Sequence, residues 1–221
     1  MTPAAIIFDL DGTLVDSRAD LATAINLTRR DFELPPLPVP AVAAMVGEGL
    51  RKLVERALPE IAAARQAEAV ERARAHYGEH LLDETRLYPD VIPVLNRLAA
   101  RGWALAIVTN KPQEFTESIL LGLAIQPFFR VIIGGGVCPK LKPDPEPLLL
   151  ALERIGASAD GSWIVGDHFT DMEAGRRAGL SRCFCRYGFG DLRDEAFDLA
   201  IERLSEFTEH LEQHRIMHGG I

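Results

Sequence analysis

Short apolar runs alternate with longer amphipathic segments along most of this chain, and one long interruption breaks the alternation. Ala4 to Phe8 is a continuous apolar run of strand length. From Asp16 to Thr85 the period is helical instead: Leu21, Ala24, Ile25, Thr28 and Phe32 recur along one helix face. The Pro-rich stretch 34–40 ends that helix. A second helix is predicted over 41–58, and Pro59 opens a third that reaches Leu82. Ser17 with Asp20 three positions on has the spacing of a capping box.

From Tyr88 onward strands and helices alternate. The pattern predicts helices over 90–100, 112–122, 145–155, 171–178 and 205–214. Strands are predicted over 104–108, 130–133, 163–165, 181–186 and 199–201, with 216–221 as a frayed tail. Thr170 and Glu173 have capping-box spacing at the head of the fourth of these helices. Such alternation predicts an α/β fold with a doubly wound parallel sheet. Residues 1–15 and 86–221 then form an α/β core domain, and residues 16–85 an inserted α-helical domain.

Of 221 residues, 48% are hydrophobic and 25% charged, the balance of a soluble globular protein. A net charge of -8 excludes a general nucleic-acid binder, so an anionic ligand must be attracted by local groups. Cys138, Cys183 and Cys185 form no Cys-x-x-Cys pair and read as buried reduced thiols. No basic leader with an apolar stretch opens the chain and no apolar run approaches ~18 residues, so a cytoplasmic protein without membrane contact is expected.

In a doubly wound sheet the ligand lies beyond the carboxyl ends of the strands. The polar clusters of this chain fall there. Asp9 and Asp11 stand where the first strand runs out, two positions apart and followed by Gly12. Thr109-Asn110-Lys111 follows the second core strand, where Thr109 or Asn110 caps the next helix and its N–H groups face an anion. Lys142 precedes a helix amid Pro143, Pro145 and Pro147. A cation is unfavourable there without a compensating anion. Asp167, in the loop after a further strand, is available to a hard cation such as Mg²⁺.

In order and spacing these clusters resemble the four signature motifs of the haloacid dehalogenase superfamily. Asp9-Leu10-Asp11-Gly12-Thr13 is similar to the first, Thr109 to the second, Lys142 to the third, and Gly166-Asp167 with Asp171 to the fourth. The helical segment 16–85 resembles that family's C1-type cap. Val46-Gly47-Glu48-Gly49, Val108-Thr109-Asn110-Lys111-Pro112 and Lys142-Pro143 are similar to stretches of its phosphoglycolate phosphatase group.

The resemblance implies a Mg²⁺-dependent phosphatase for small phosphorylated metabolites, working through an aspartyl-phosphate as a monomer or homodimer. It makes Asp9 the nucleophile and Asp11 the acid–base. Mg²⁺ is held by Asp9, the Asp11 backbone carbonyl and Asp167, with Asp171 supporting the metal. Thr109, Asn110 and Lys142 bind the phosphoryl oxygens. Gly47, Gly49, Arg51 and Lys52 are the candidates for reading the leaving group from the cap. His168 stands where relatives often carry Ser and is expected to be a loop residue. Other outcomes on the same scaffold are a sugar-phosphate phosphatase or mutase, a phosphonoacetaldehyde hydrolase using Lys52 for a Schiff base, and a non-catalytic phosphate-binding scaffold.

Overall fold

The structure, a computed structural model, describes residues 4–218, so the last part of the expected frayed tail lies outside it. Six parallel strands form the main sheet in the order β5-β4-β1-β6-β7-β8. They are β1 (Ala5–Phe8), β4 (Ala104–Pro112), β5 (Val131–Gly135), β6 (Trp163–Gly166), β7 (Ser181–Cys185) and β8 (Leu199–Ile201). The central strand β1 is buried along its whole length. Its alternating side chains feed two cores: Ile6 and Phe8 face one layer, Ala5 and Ile7 the other.

On the Ile6 side lie α5 (Val91–Ala100), α6 (Gln113–Gly122) and α9 (Leu204–His218), through residues such as Leu95, Ile119 and Phe207. On the other face α7 (Glu146–Ile155) and α8 (Phe169–Ala178) pack Leu148, Ala151 and Ala174 against the small side chains of Ala104 and Ala106. Parallel strands covered on both faces read as unbroken apolar runs, which is why the sheet was legible in the sequence.

Between Asp16 and Arg86 the chain is helical: α1 (Arg18–Asp31), α2 (Val39–Ala43), α3 (Leu50–Ala57) and α4 (Gln66–Glu79). These helices bury their own cluster, with Leu21, Ile25, Leu53, Val54 and Tyr77 at its centre and Phe115 of α6 against it. Two features depart from expectation. The helix predicted over 41–58 is two helices, separated by a loop in which Gly47 and Gly49 take positive φ (+122° and +89°) that other residues rarely adopt. The third begins at Gln66 as an α-helix, preceded by a single 3₁₀ turn at Ala63–Arg65.

The strands β2 (Val15–Asp16) and β3 (Arg86–Leu87) form a short antiparallel ribbon where the chain enters and leaves the helical segment. Buried Asp20 closes the same junction, accepting from Glu84 N, Thr85 N and Thr85 Oγ1 at 2.7–3.1 Å. Asp20 is therefore occupied elsewhere, and Ser17 donates to Asp11 instead of capping α1, so the expected capping box does not form.

Candidate active site

The backbone first delivers the charged groups. Strand β1 ends at Phe8, where Asp9 N donates to Val165 O of β6, so the Asp9 side chain leaves the sheet beside the end of β6. A tight turn follows, with Thr13 N and Leu14 N both donating to Leu10 O. Strand β4 loses register with β5 between Val108 and Pro112, and this irregularity carries Thr109, Asn110 and Lys111. Helix α6 begins only at Gln113 with no side-chain cap. The expectation that Thr109 or Asn110 caps it is corrected: Thr109 Oγ1 accepts from Lys111 N at 3.3 Å.

Asp9, Asp167 and Asp171 converge, one carboxylate oxygen from each lying within 4.8 Å of the other two, and all three are buried. Lys142 joins two of these acids. Its Nζ donates to Asp9 Oδ1 at 2.8 Å, Asp171 Oδ1 at 2.6 Å and Val108 O at 2.6 Å. It is 3% exposed, which rules out a solvated surface lysine. Its compensation comes from carboxylates, since α7 begins four positions further on at Glu146.

Three acids against one ammonium leave an excess of negative charge in a desolvated place. Burial, with repulsion from Asp171 and Asp11, outweighs Lys142 and pushes the Asp9 carboxyl up to about 6. Asp167 is raised well above the usual carboxylate range, by burial first and then by Asp9 and Asp171. Burial alone would depress Lys142, but Asp171 and Asp9 hold its ammonium above the ordinary lysine value.

Asp167 is further fixed by the loop after β7. Phe189 N and Gly190 N donate to its Oδ2 at 3.0 and 2.8 Å. Gly12, at φ +82°, makes room for the same carboxylate: a Cβ there would stand 1.9 Å from Asp167 Oδ2. All-oxygen donors with surplus negative charge are the environment a hard divalent cation requires, so the residues fit Mg²⁺. Asp171 has one oxygen on Lys142 and the other on His168 N at 3.1 Å, which suits it to support rather than direct ligation.

Asp11 parts company with Asp9. Its carboxylate meets Lys111 Nζ at 2.8 Å through both oxygens and Ser17 Oγ at 2.6 Å. Lys111 in turn contacts the hydroxyl of Tyr77, which α4 supplies. The sequence placed Lys111 in the second polar cluster without a role of its own, and it did not single out Tyr77. Nothing in the residue type sets Lys111 apart from its neighbours in that cluster, and Tyr77 continues the apolar face of its helix.

Asn110 is placed differently from the expectation that it binds phosphoryl oxygens. Its Oδ1 accepts from Lys142 N at 2.9 Å, and its Nδ2 donates to Lys142 O at 2.8 Å and Gly47 O at 2.9 Å. The side-chain amide is consumed in holding neighbours. His168 is likewise no simple loop residue. It is 5% exposed and N-caps α8, accepting from Thr170 N while Asp171 accepts from His168 N, so the box is His168/Asp171 and not Thr170/Glu173. Burial lowers its imidazole to about 4, which keeps the ring neutral.

Above these groups lies a cavity lined on its other side by Val46, Gly47 and Gly49 of the loop between α2 and α3, with about 50 Å³ reachable by the centre of a water molecule. Asp9, Asp11, Thr109, Lys111 and Asp167 line its floor. Gly47 packs so closely on His168 that a Cβ would meet the ring at 2.6 Å, and Gly49 lies over Asn110 O and Leu141. Arg51 and Lys52 do not reach the site. Both lie on the exposed face of α3 opposite buried Leu53 and Val54, and Lys52 pairs with Glu55 at 2.8 Å.

Residues 6–185 match the family described as haloacid dehalogenase-like hydrolase. The chain is 35% identical to a phosphoglycolate phosphatase of Aquifex aeolicus over 95% of its own length and 97% of that protein. It is 38% identical to one of Nitrosospira multiformis, over 86% of each. A crystal structure named for a predicted phosphoglycolate phosphatase from Haemophilus somnus superposes with a TM-score of 0.89 at 30% identity, covering 96% of this chain and 99% of that one.

Proposed function

The chain belongs to the haloacid dehalogenase-like hydrolases, and from that premise we propose a Mg²⁺-dependent phosphatase that hydrolyses 2-phosphoglycolate and similarly small monoesters through a phosphorylated Asp9. The observation that carries this reading is the buried cluster of Asp9, Asp167 and Asp171, with Lys142 bonded to Asp9 and Asp171 and with Asp9 and Asp167 lining the cavity. Residues 16–85 are the cap and the remainder the core, a division supported by the separate apolar cluster of α1–α4. Three free, buried cysteines suit a reducing cytoplasm. No described helix is long and apolar enough to cross a membrane.

Asp9 attacks phosphorus and expels the alkoxide, splitting one difficult hydrolysis into two displacements. Asp11, on the cavity wall beside Asp9, gives its proton to the leaving oxygen and then takes one from the water that attacks the acyl-phosphate, a service worth about 10²–10⁴-fold. Lys142 holds the Asp9 carboxylate by Oδ1, which leaves Oδ2 as the attacking atom. Thr109, which lines the cavity at the end of β4, would donate its hydroxyl to the phosphoryl group. Asp9, Asp167 and the Asp11 carbonyl would hold Mg²⁺, with Asp171 behind. When bound, the ion supplies the positive charge that lets an anionic nucleophile approach an anionic ester.

Lys52, exposed and paired with Glu55, is not positioned for a Schiff base, so phosphonoacetaldehyde hydrolysis has no amine to use there. Turnover of an aryl phosphate with Mg²⁺ tests the proposal. It is expected to vanish in Asp9→Asn and in excess chelator, and undiminished turnover in either would remove the mechanism.

A further inference from the structure

The reaction above leaves one group in the cavity without an assigned partner in the substrate. Among the described residues that line the cavity, Lys111 is the only lysine or arginine. Lys142 lies deeper and its donors are spent on Asp9, Asp171 and Val108. The Lys111 side chain is 3% exposed. Its ammonium sits 4.6 Å from the Tyr77 ring centroid and donates to the Tyr77 hydroxyl and to both oxygens of Asp11. The cap side of the same cavity is aliphatic, lined by Leu21, Val46, Leu50 and Leu53. A cation lining such a cavity favours an anionic ligand over a neutral one.

We infer that Lys111, with the Tyr77 hydroxyl, recognises a carboxylate on the leaving group and so selects phosphate esters of small hydroxy acids. The inference rests on the phosphatase reading, and connectivity carries it. Asp11 must reach the ester oxygen, and in 2-phosphoglycolate one methylene separates that oxygen from the carboxylate. An ammonium in contact with both oxygens of Asp11 is therefore within reach of the carboxylate too.

The donor count allows it. An ammonium has three N–H groups, and two of them serve one carboxylate here. Releasing one leaves Asp11 held by Lys111 and by Ser17 Oγ, and turns an N–H toward the substrate. The Tyr77 hydroxyl accepts from Lys111, so its own proton is free to donate. Burial raises that phenol well above the usual range and keeps it protonated. Arg51 and Lys52, the cations expected for this task, face solvent on α3. The amine that does face the cavity comes from the core.

The test compares 2-phosphoglycolate with 2-hydroxyethyl phosphate, alike in length but lacking the carboxylate, using the full chain with Mg²⁺. The wild type is expected to favour 2-phosphoglycolate in kcat/KM by about tenfold or more, mainly through KM. Lys111→Met lowers turnover of both esters, because Asp11 loses a partner, and brings the preference within about twofold. Tyr77→Phe shifts the preference the same way by a smaller factor.

A preference that survives Lys111→Met unchanged would overturn carboxylate recognition and leave Lys111 as a positioning residue for Asp11. So would a wild type with no preference. Failure of the wild type to hydrolyse an aryl phosphate would instead overturn the underlying phosphatase reading. Should thermal unfolding show that Lys111→Met does not fold, inhibition of wild-type aryl phosphate turnover by glycolate and by ethylene glycol decides. Selective inhibition by glycolate, weakened in Tyr77→Phe, supports the inference, and equal inhibition contradicts it.

Discussion

Asn110 holds Lys142 by its backbone from both sides, accepting from Lys142 N at 2.9 Å and donating to Lys142 O at 2.8 Å. The remaining N–H of the same amide goes to Gly47 O in the cap loop at 2.9 Å. One side chain therefore fixes the lysine that steadies the nucleophile and anchors a loop that lines the cavity. In Asn110→Ala, kcat/KM is expected to fall by about 10²-fold, since small misplacements of catalytic groups cost that much. Stability should drop by about 1–3 kcal/mol from the unsatisfied buried backbone groups. Steady-state kinetics and thermal unfolding check both. A variant that loses stability alone would show that the clasp does not govern catalysis.

Removing the ammonium itself has a larger consequence. Lys142→Met leaves Asp9 and Asp171 buried without their cation, a loss that typically costs about 3–5 kcal/mol. Denaturant unfolding should show that loss, and aryl phosphate turnover should disappear with it. Wild-type stability would mean the cluster is solvated in a way its burial does not suggest.

Gly12 tests the cation site without altering any charged residue. A methyl group there would collide with Asp167, and the φ of +82° adds backbone strain. Gly12→Ala should therefore weaken Mg²⁺ binding, measured by titration calorimetry, by at least about tenfold. An unchanged affinity would remove Asp167 from the site.

The pH dependence has a definite sign. Burial and neighbouring carboxylates raise Asp9 from 3.8 to about 6 in the metal-free protein. A carboxyl raised in the folded state contributes stability below its unfolded pKa and loses it as pH rises through the folded one. The Asp9 contribution to metal-free stability accordingly fades between 3.8 and about 6. Mg²⁺ competes with that proton, so the increase in Tm on adding Mg²⁺ should be small near the lower limit and grow toward neutrality. A shift independent of pH would contradict the coupling.

The legible parts of the sequence were those with a period or an improbable charge. Strands such as β1 and β6, covered on both faces, show as apolar runs, and acids at their ends have no packing role to play. What escaped notice lacked such a signal. The two-residue strands Val15–Asp16 and Arg86–Leu87 are too short to show alternation. The break between α2 and α3 hides in a sequence whose apolar spacing continues across it. Arg51 and Lys52 adjoin the glycines of the loop between α2 and α3, yet the period of Leu53, Val54 and Ala57 already turned them outward. Phe189 and Gly190 serve Asp167 through backbone N–H groups, which no residue type announces.

The central claim is that Asp9 carries the phosphoryl group, and direct observation of that bond is its most direct test. The Asp11→Asn variant, slowed in hydrolysing the intermediate, would be mixed with an activated aryl phosphate and Mg²⁺, quenched in acid and mapped by peptide mass spectrometry. The account predicts a phosphoryl adduct on the peptide containing Asp9, at Asp9 itself, absent when Asp9 is also changed to Asn. Continued release of phosphate with no adduct on Asp9 at any time would contradict it.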